Sequence, residues 1–130
     1  MSGMLRDFLA IGLGGALGTA LRYLLSLGAL SVLDRGFVFA TVPANLLGAL
    51  LIGYLAASPL PAAWRPLLLT GFCGGFTTFS LFSLELLVLI DDGAIGLALA
   101  YGLGSVVVWV LACWAGFAAG ARHTQAARGA

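Results

Sequence analysis

The sequence predicts an all-α integral membrane protein with four transmembrane helices. Composition is the first indication, because 62% of the 130 residues are hydrophobic and only 8% are charged, whereas soluble domains carry about 25% charged residues. A soluble chain of this length buries too small a fraction of its surface to hide so many apolar side chains. The second indication is a pattern of four long apolar stretches, each long enough to cross a hydrocarbon core of about 30 Å.

Short polar segments delimit the four spans within one membrane domain, residues 1–130. Turns are predicted at 33–36 and 91–93, and the proline-rich linker 58–66 ends one helix and starts the next. The small polar tail, 122–130, is expected to be frayed. The predicted spans are approximately 8–33, 37–57, 67–90 and 95–121.

Charge and reactive side chains exclude several classes of function. Six arginines and five acidic residues give a net charge of +1 without a basic patch, so no nucleic acid partner is expected. Cys73 and Cys113 lie in apolar runs and are interpreted as small buried side chains. His123 is the only histidine, and the sequence offers no nucleophile–base pair or metal cluster, so we do not expect an enzyme.

The arginines outside the spans are distributed unevenly about the membrane. Four spans place both termini on one side together with the 58–66 linker, and only Arg35 falls on the other side. The positive-inside rule therefore predicts that both termini are cytoplasmic. The predicted cytoplasmic arginines are Arg6, Arg65, Arg122 and Arg128.

The most informative segment lies in the third span, residues 71–85, and reads GFCGGFTTFSLFSLE. Glycines and β-branched threonines cluster there, and both are poor helix formers. A helix break is predicted in mid-membrane, where backbone groups released from a helix commonly bind ions. The alternative is a continuous helix whose small residues serve only packing.

Four side chains after the predicted break could line a path for an anion. Phe79 and Phe82 share one helix face at spacing three, and Ser80 and Ser83 share a neighbouring face. Aromatic ring edges are electropositive, and serine hydroxyls donate hydrogen bonds. The alternative is that the phenylalanines only fill the core or face lipid.

Polar side chains also recur at helical spacing in two other spans. Thr41 and Asn45 form a stripe in the second span, and Tyr101 and Ser105 form one in the fourth. These groups could donate to an anion, or they could make hydrogen bonds between helices.

Arg22 and Glu85 are the two charged residues within the spans, where charges are usually paired or functional. Arg22 could hold a positive potential in a water-filled vestibule. Glu85 could pair with Arg22, be neutral, or lie in water at an opening. Hydrogen-bond donors outnumber this single acidic residue, which favours an anion over a cation as the transported ion.

Small residues recur at spacing four and allow helices to approach closely in lipid. Packing within the chain explains any one set, but small faces on several spans favour an oligomer. The sets are Gly14/Gly18, Gly71/Gly75, Gly96/Ala100/Gly104 and Ala112/Gly116/Gly120.

Three motifs together resemble those of the Fluc (CrcB) fluoride channels over nearly the whole chain. They are GGALGTALRY at 14–23, TVPANLLG at 41–48 and the 71–85 segment. The resemblance implies a passive fluoride-selective channel that exports cytoplasmic fluoride across a prokaryotic plasma membrane. It also implies an antiparallel, dual-topology homodimer with two pores and a structural Na⁺ at its centre.

The resemblance implies roles for individual residues as well. Arg22 would be the vestibule arginine, and the backbone carbonyls of Gly74 and Thr77 would hold the Na⁺. Glu85 would lie near the pore. The fluoride pathway would comprise Asn45 as amide donor, Phe79 and Phe82 as the aromatic pair, Ser80 and Ser83 beside them, and the hydroxyls of Thr41, Tyr101 and Ser105.

Some features leave alternatives open. One turn beyond Ser105, where the family would lead us to expect another hydroxyl, this chain has Trp109. The arginine bias leaves open a heterodimer with an oppositely oriented homologue. A small proton-coupled exporter would need a carboxylate in the first span as its proton-coupling group, and this chain has Arg22 there. A structural membrane subunit would leave Asn45 and the helix break as costs without a purpose.

Overall fold

The computed structural model describes residues 2–33 and 36–129, with side chains for 3–28 and 41–129. Residues 34 and 35 of the first predicted turn therefore lie outside the described residues. The described part of the chain is helical except for short connections. Its α-helices are α1 (Ser2–Leu33), α2 (Gly36–Ala57), α3 (Gly74–Phe76), α4 (Ser80–Asp91) and α5 (Ile95–Gly129).

Three stretches are long and apolar enough to cross a membrane. They are Gly3–Gly28, Ala62–Asp91 and Ile95–Gly129. The described part of α2 adds a shorter apolar helix, Thr41–Ala57. The class of a multi-pass helical membrane protein thus agrees with the structure, and the crossing of α2 as a fourth span stays a prediction.

The third predicted span is composite. After a 3₁₀ turn at Ala62–Trp64, it begins as a π-helix, Pro66–Cys73, rather than the expected α-helix. Proline suits the first position of a helix because its missing N–H would have no partner there. The span continues as α3 and is then broken, since Thr77 has extended backbone angles (φ −81°, ψ 157°) and α4 begins only at Ser80. The predicted helix break is present.

Close backbone contacts hold the helices together. Helix α1 packs along the π-helix and α3, whereas α2 packs along α5. A methyl group added at Gly14 or Gly75 would overlap backbone atoms across the first of these contacts, and one at Gly116 would do so across the second. Packing within the chain therefore accounts for three of the four small-residue sets. Gly96 and Gly104 have open space beside them in the described structure.

The polar tail is ordered, so the expectation of a frayed tail is wrong. Helix α5 continues to Gly129. The end of α2 holds it there: the Tyr54 hydroxyl lies 2.7 Å from His123 Nδ1, and the two rings stack with centroids 6.0 Å apart. Thr124 Oγ1 also donates to the Ala57 carbonyl at 2.7 Å. These partners are more than sixty residues apart in sequence, and a local pattern does not reveal them.

Candidate functional site at the helix break

Asn45 on α2 binds the backbone of the broken segment. Its Nδ2 donates to the Thr78 carbonyl at 2.8 Å, and the Thr78 N–H donates to its Oδ1 at 2.7 Å. Both residues are buried. The side-chain amide thus supplies the partners that the Thr78 backbone lacks outside a helix. Because an amide group has two N–H donors, the second N–H of Asn45 can donate to another acceptor.

The break also releases carbonyl groups from helical hydrogen bonding, among them those of Gly74 and Thr77. In a continuous helix the Gly74 carbonyl would accept from the Thr78 N–H, which is instead directed at Asn45. The Thr77 carbonyl would accept from the Leu81 N–H, which donates instead to Thr78 Oγ1 at 3.3 Å. Oxygen donors of broken helices suit Na⁺. Gly74 and Thr77, the residues named from the resemblance as Na⁺ ligands, are thus among the residues whose carbonyl oxygens lose their helical donors, whereas the Gly75 and Thr78 carbonyls accept from side chains.

Arg22 reaches the break from the α1 side. Its Nε donates to the Gly75 carbonyl at 3.4 Å, and Thr19 Oγ1 donates to the same oxygen at 3.2 Å. The guanidinium therefore interacts with the broken segment and forms no pair with Glu85. Sequence reasoning missed Thr19, although it lies on the same helical face as Arg22, three residues earlier.

Phe82 lies at the centre of an aromatic cluster. Its ring is 3% exposed and lies 5.4 Å from the Tyr101 ring and 4.8 Å from the Trp109 ring between centroids. The Trp109 contact is edge to face, with an interplanar angle of 70°. Phe79 lies 5.9 Å away at 56° and is 74% exposed. In the predicted aromatic pair, the Phe82 ring is thus buried and the Phe79 ring is exposed.

The two serines of α4 are exposed and make local hydrogen bonds. Ser80 Oγ lies 3.2 Å from Thr78 Oγ1, and Ser83 Oγ donates to the Phe79 carbonyl at 3.0 Å. Ser105 is buried on α5. The Ser83 hydroxyl proton is therefore used within its own helix.

Glu85 is buried between α2 and α5, not placed at an opening. It is 1% exposed, the lowest value given for a charged residue in the described part of the chain. Thr41 Oγ1 donates to its Oε1 at 2.5 Å, and the Tyr101 hydroxyl donates to its Oε2. Two suggestions from the sequence, an ion pair with Arg22 and a water-exposed position, are wrong. Position along the span does not show that two other helices cover this carboxyl group.

An open groove of about 290 Å³ joins the α2 face to the break and to α5. Thr78 and Trp109 belong to it, and sequence reasoning assigned neither of them to the site. The paired threonines of the break and the four-residue step from Ser105 to Trp109 are the signals that could have identified them. The groove is lined by Asn45, Ala49, Ile52, Thr77, Thr78, Phe79 and Trp109.

Fold and site together define a multi-pass helical membrane protein with a hydrogen-bonded break in one of its spans. Residues 9–117 match the family described as CrcB-like protein, Camphor Resistance (CrcB). The chain belongs to the CrcB family, as the three motifs indicated. The match includes every site residue from Arg22 to Trp109.

Curated relatives resemble the chain over most of its length. Three of them, each 44% identical, carry the name Fluoride-specific ion channel FluC. The protein from Stutzerimonas stutzeri aligns over 88% of this chain and 97% of its own length. The proteins from Phenylobacterium zucineum and Paracoccus denitrificans align over 86% and 90% of this chain, and over 93% and 96% of their own lengths.

Proposed function

We propose that this chain is a passive fluoride-selective channel that exports cytoplasmic fluoride across a prokaryotic plasma membrane. One observation carries the proposal: the chain is 44% identical over 88% of its length to a relative named as a fluoride-specific ion channel. The names of the relatives describe channels, in agreement with the expectation that the chain is not an enzyme.

The proposed pathway runs along the groove at the break. A small anion gives up hydration water when it leaves solution, so its path must supply other electropositive groups. The remaining N–H of Asn45 and the ring edges of Phe79 and Phe82 are such groups. Ser80 and Ser83, both exposed next to Phe79, extend the pathway along α4.

Glu85 positions the hydroxyl groups of the pathway. Its carboxyl group accepts from Thr41 and Tyr101 and so fixes the orientation of both side chains. The Tyr101 ring also contacts Phe82, which links this hydrogen-bonded pair to the aromatic cluster. With Ser105 farther along α5, these hydroxyls form the proposed polar track. Arg22 holds positive charge on the opposite side of the break.

The channel is an antiparallel dimer with two pores in this proposal. The groove of one chain is open, and Phe79 beside it is 74% exposed. An ion cannot pass along a wall that is open to lipid, because lipid offers no hydrogen-bonding groups. A second copy would close the pathway, and an oppositely oriented homologue is the alternative partner suggested by the arginine bias.

A structural Na⁺ at the dimer centre would be held by the carbonyls of Gly74 and Thr77 from both chains. The loss of their helical donors supports this assignment, as does the exposure of Gly74 at the chain surface. When bound, Na⁺ supplies a positive charge that oxygen atoms of both chains can share. Within the chain, Asn45 keeps the Thr78 N–H from donating to the Gly74 carbonyl, because it accepts that hydrogen bond itself.

Efflux from liposomes tests the proposed function. The purified chain is reconstituted into liposomes loaded with fluoride, and external fluoride is recorded with an electrode. We expect fast efflux that is unaffected by a proton gradient and absent when chloride replaces fluoride. Proton-coupled efflux would favour the exporter. An inactive chain that becomes active with a homologous partner would favour the heterodimer, and inactivity with that partner would favour a structural subunit.

A further inference from the structure

The indole group of Trp109 carries a buried donor without a partner. Among the described residues, its Nε1 is the one buried side-chain nitrogen or oxygen atom found without a hydrogen bond. An indole N–H is a donor only, and a buried donor without an acceptor is costly. The position therefore calls for an acceptor that the described chain does not supply.

Trp109 lies in the same groove as the helix break. It lines this groove together with Asn45, Thr78 and Phe79. Its ring is packed edge to face against Phe82, with centroids 4.8 Å apart. The Phe82 ring is itself almost fully buried. The indole group is thus held in a fixed orientation beside the proposed pathway.

The other donors near this groove are largely committed. Asn45 uses its Oδ1 and one N–H on Thr78, and the hydroxyls of Thr41 and Tyr101 donate to Glu85. An anion that sheds water in the groove therefore meets few free donors on this chain. The Trp109 N–H has no protein acceptor and belongs to a side chain that lines this groove, at a position where a hydroxyl was expected.

We propose that the Trp109 indole N–H donates a hydrogen bond to fluoride in the groove and that Trp109 helps to determine anion specificity. This inference rests on the proposed function. Hydrogen bonds to a charged acceptor are stronger than those between neutral groups. Because the indole ring packs against Phe82, a larger anion needs a larger displacement of the ring than fluoride does, and this arrangement favours fluoride over chloride.

Substitution by phenylalanine tests the donor while keeping an aromatic ring. Trp109→Phe removes the N–H and preserves a ring for contact with Phe82. We expect fluoride efflux to fall by about tenfold to a hundredfold, the value of one hydrogen bond to a charged group. Trp114→Phe is the matched control, because Trp114 lies on the same helix and is 70% exposed; its efflux should equal that of the unmodified chain.

The fluorescence emission of Trp109 reports binding of fluoride beside the indole, which a purely structural role of this side chain would not produce. The chain has three tryptophans, so the double variant Trp64→Phe/Trp114→Phe leaves Trp109 as the only indole. Added sodium fluoride should shift its emission with saturation, whereas sodium chloride at the same ionic strength should not. A chain that conducts fluoride without this response would overturn the inference.

The outcomes separate this inference from the proposed function. If the unmodified chain conducts fluoride and Trp109→Phe conducts equally well, only the inference fails. If Trp109→Phe loses its dimer on gel filtration and no fluoride response is seen, the acceptor is protein, and the inference fails as well. If the chain conducts no fluoride even with a homologous partner, the proposed function fails, and the fluorescence titration alone decides the inference: no response overturns it.

Discussion

Asn45→Asp separates the two tasks assigned to this side chain. The carboxylate keeps the size of the amide and can still accept from the Thr78 N–H, now 2.7 Å from Oδ1. It loses the donor to the Thr78 carbonyl, now at 2.8 Å, and the remaining N–H that faces the proposed pathway. It also introduces a negative charge where an anion is expected to pass.

The size of the effect follows from charge repulsion. Two like charges about 4 Å apart repel by about 4 kcal/mol at an effective dielectric constant of 20. Applied to the barrier for passage, this energy lowers the rate about a thousandfold. The lost hydrogen bond to Thr78 lowers stability by about 1 kcal/mol, and burial of the new charge beside the Thr78 carbonyl adds to this cost. We therefore expect near-complete loss of fluoride efflux from liposomes with an unchanged gel-filtration profile.

Asn45→Ala is the matched comparison. It removes both hydrogen bonds to Thr78 without adding charge, so the fall in its apparent melting temperature in detergent reports these two bonds alone. The two lost bonds correspond to about 2 kcal/mol. Fluoride efflux by Asn45→Asp at the level of the unmodified chain would refute the placement of Asn45 on the pathway.

Three further substitutions test other parts of the account. Phe82→Ile keeps apolar bulk but removes the ring edge, so liposomes should lose fluoride efflux while the gel-filtration profile stays that of the unmodified chain; normal efflux would contradict the role assigned to the Phe82 ring. Glu85→Gln leaves one of the two hydroxyls without an acceptor and the other with a neutral one, so the free energy of unfolding in detergent should fall by about 1.5–3 kcal/mol; an unchanged melting temperature would contradict the assigned hydrogen bonds. Gly75→Ala places a methyl group against the Gly15 backbone and should lower the melting temperature sharply, whereas Gly104→Ala meets open space and should not; equal effects would contradict the close packing of the helices.

Local features of the fold follow from the sequence. Proline, glycine and acidic segments predict the helix ends beside the turns closely, since α2 was expected at 37–57 and occupies Gly36–Ala57. The two outer ends were placed too far inward, because α1 begins at Ser2 rather than at 8 and α5 ends at Gly129 rather than at 121. The break at Thr77 follows from the poor helix propensity of clustered glycine and threonine. Both signals lie within a few residues of the structure that they predict, and tertiary contacts are not needed to read them.

Contacts between distant residues could not be predicted in this way. Thr41 and Glu85 lie 44 residues apart, and Asn45 and Thr78 lie 33 apart. The sequence identified each of Thr41, Asn45 and Glu85 as notable, but which group binds which depends on how α2 packs against α4 and α5. The unpaired donor of Trp109 is hidden for the same reason, since only the packed structure shows that no acceptor is near.

The ion selectivity of the current shows whether the chain conducts fluoride rather than another ion. The purified chain is recorded in a planar bilayer with fluoride at unequal concentrations on the two sides and an opposite gradient of chloride. We expect a current that reverses close to the equilibrium potential of fluoride, and a reversal potential that does not shift when a proton gradient is imposed. A reversal that follows chloride or protons would contradict the claim that the groove at the helix break is a fluoride pathway.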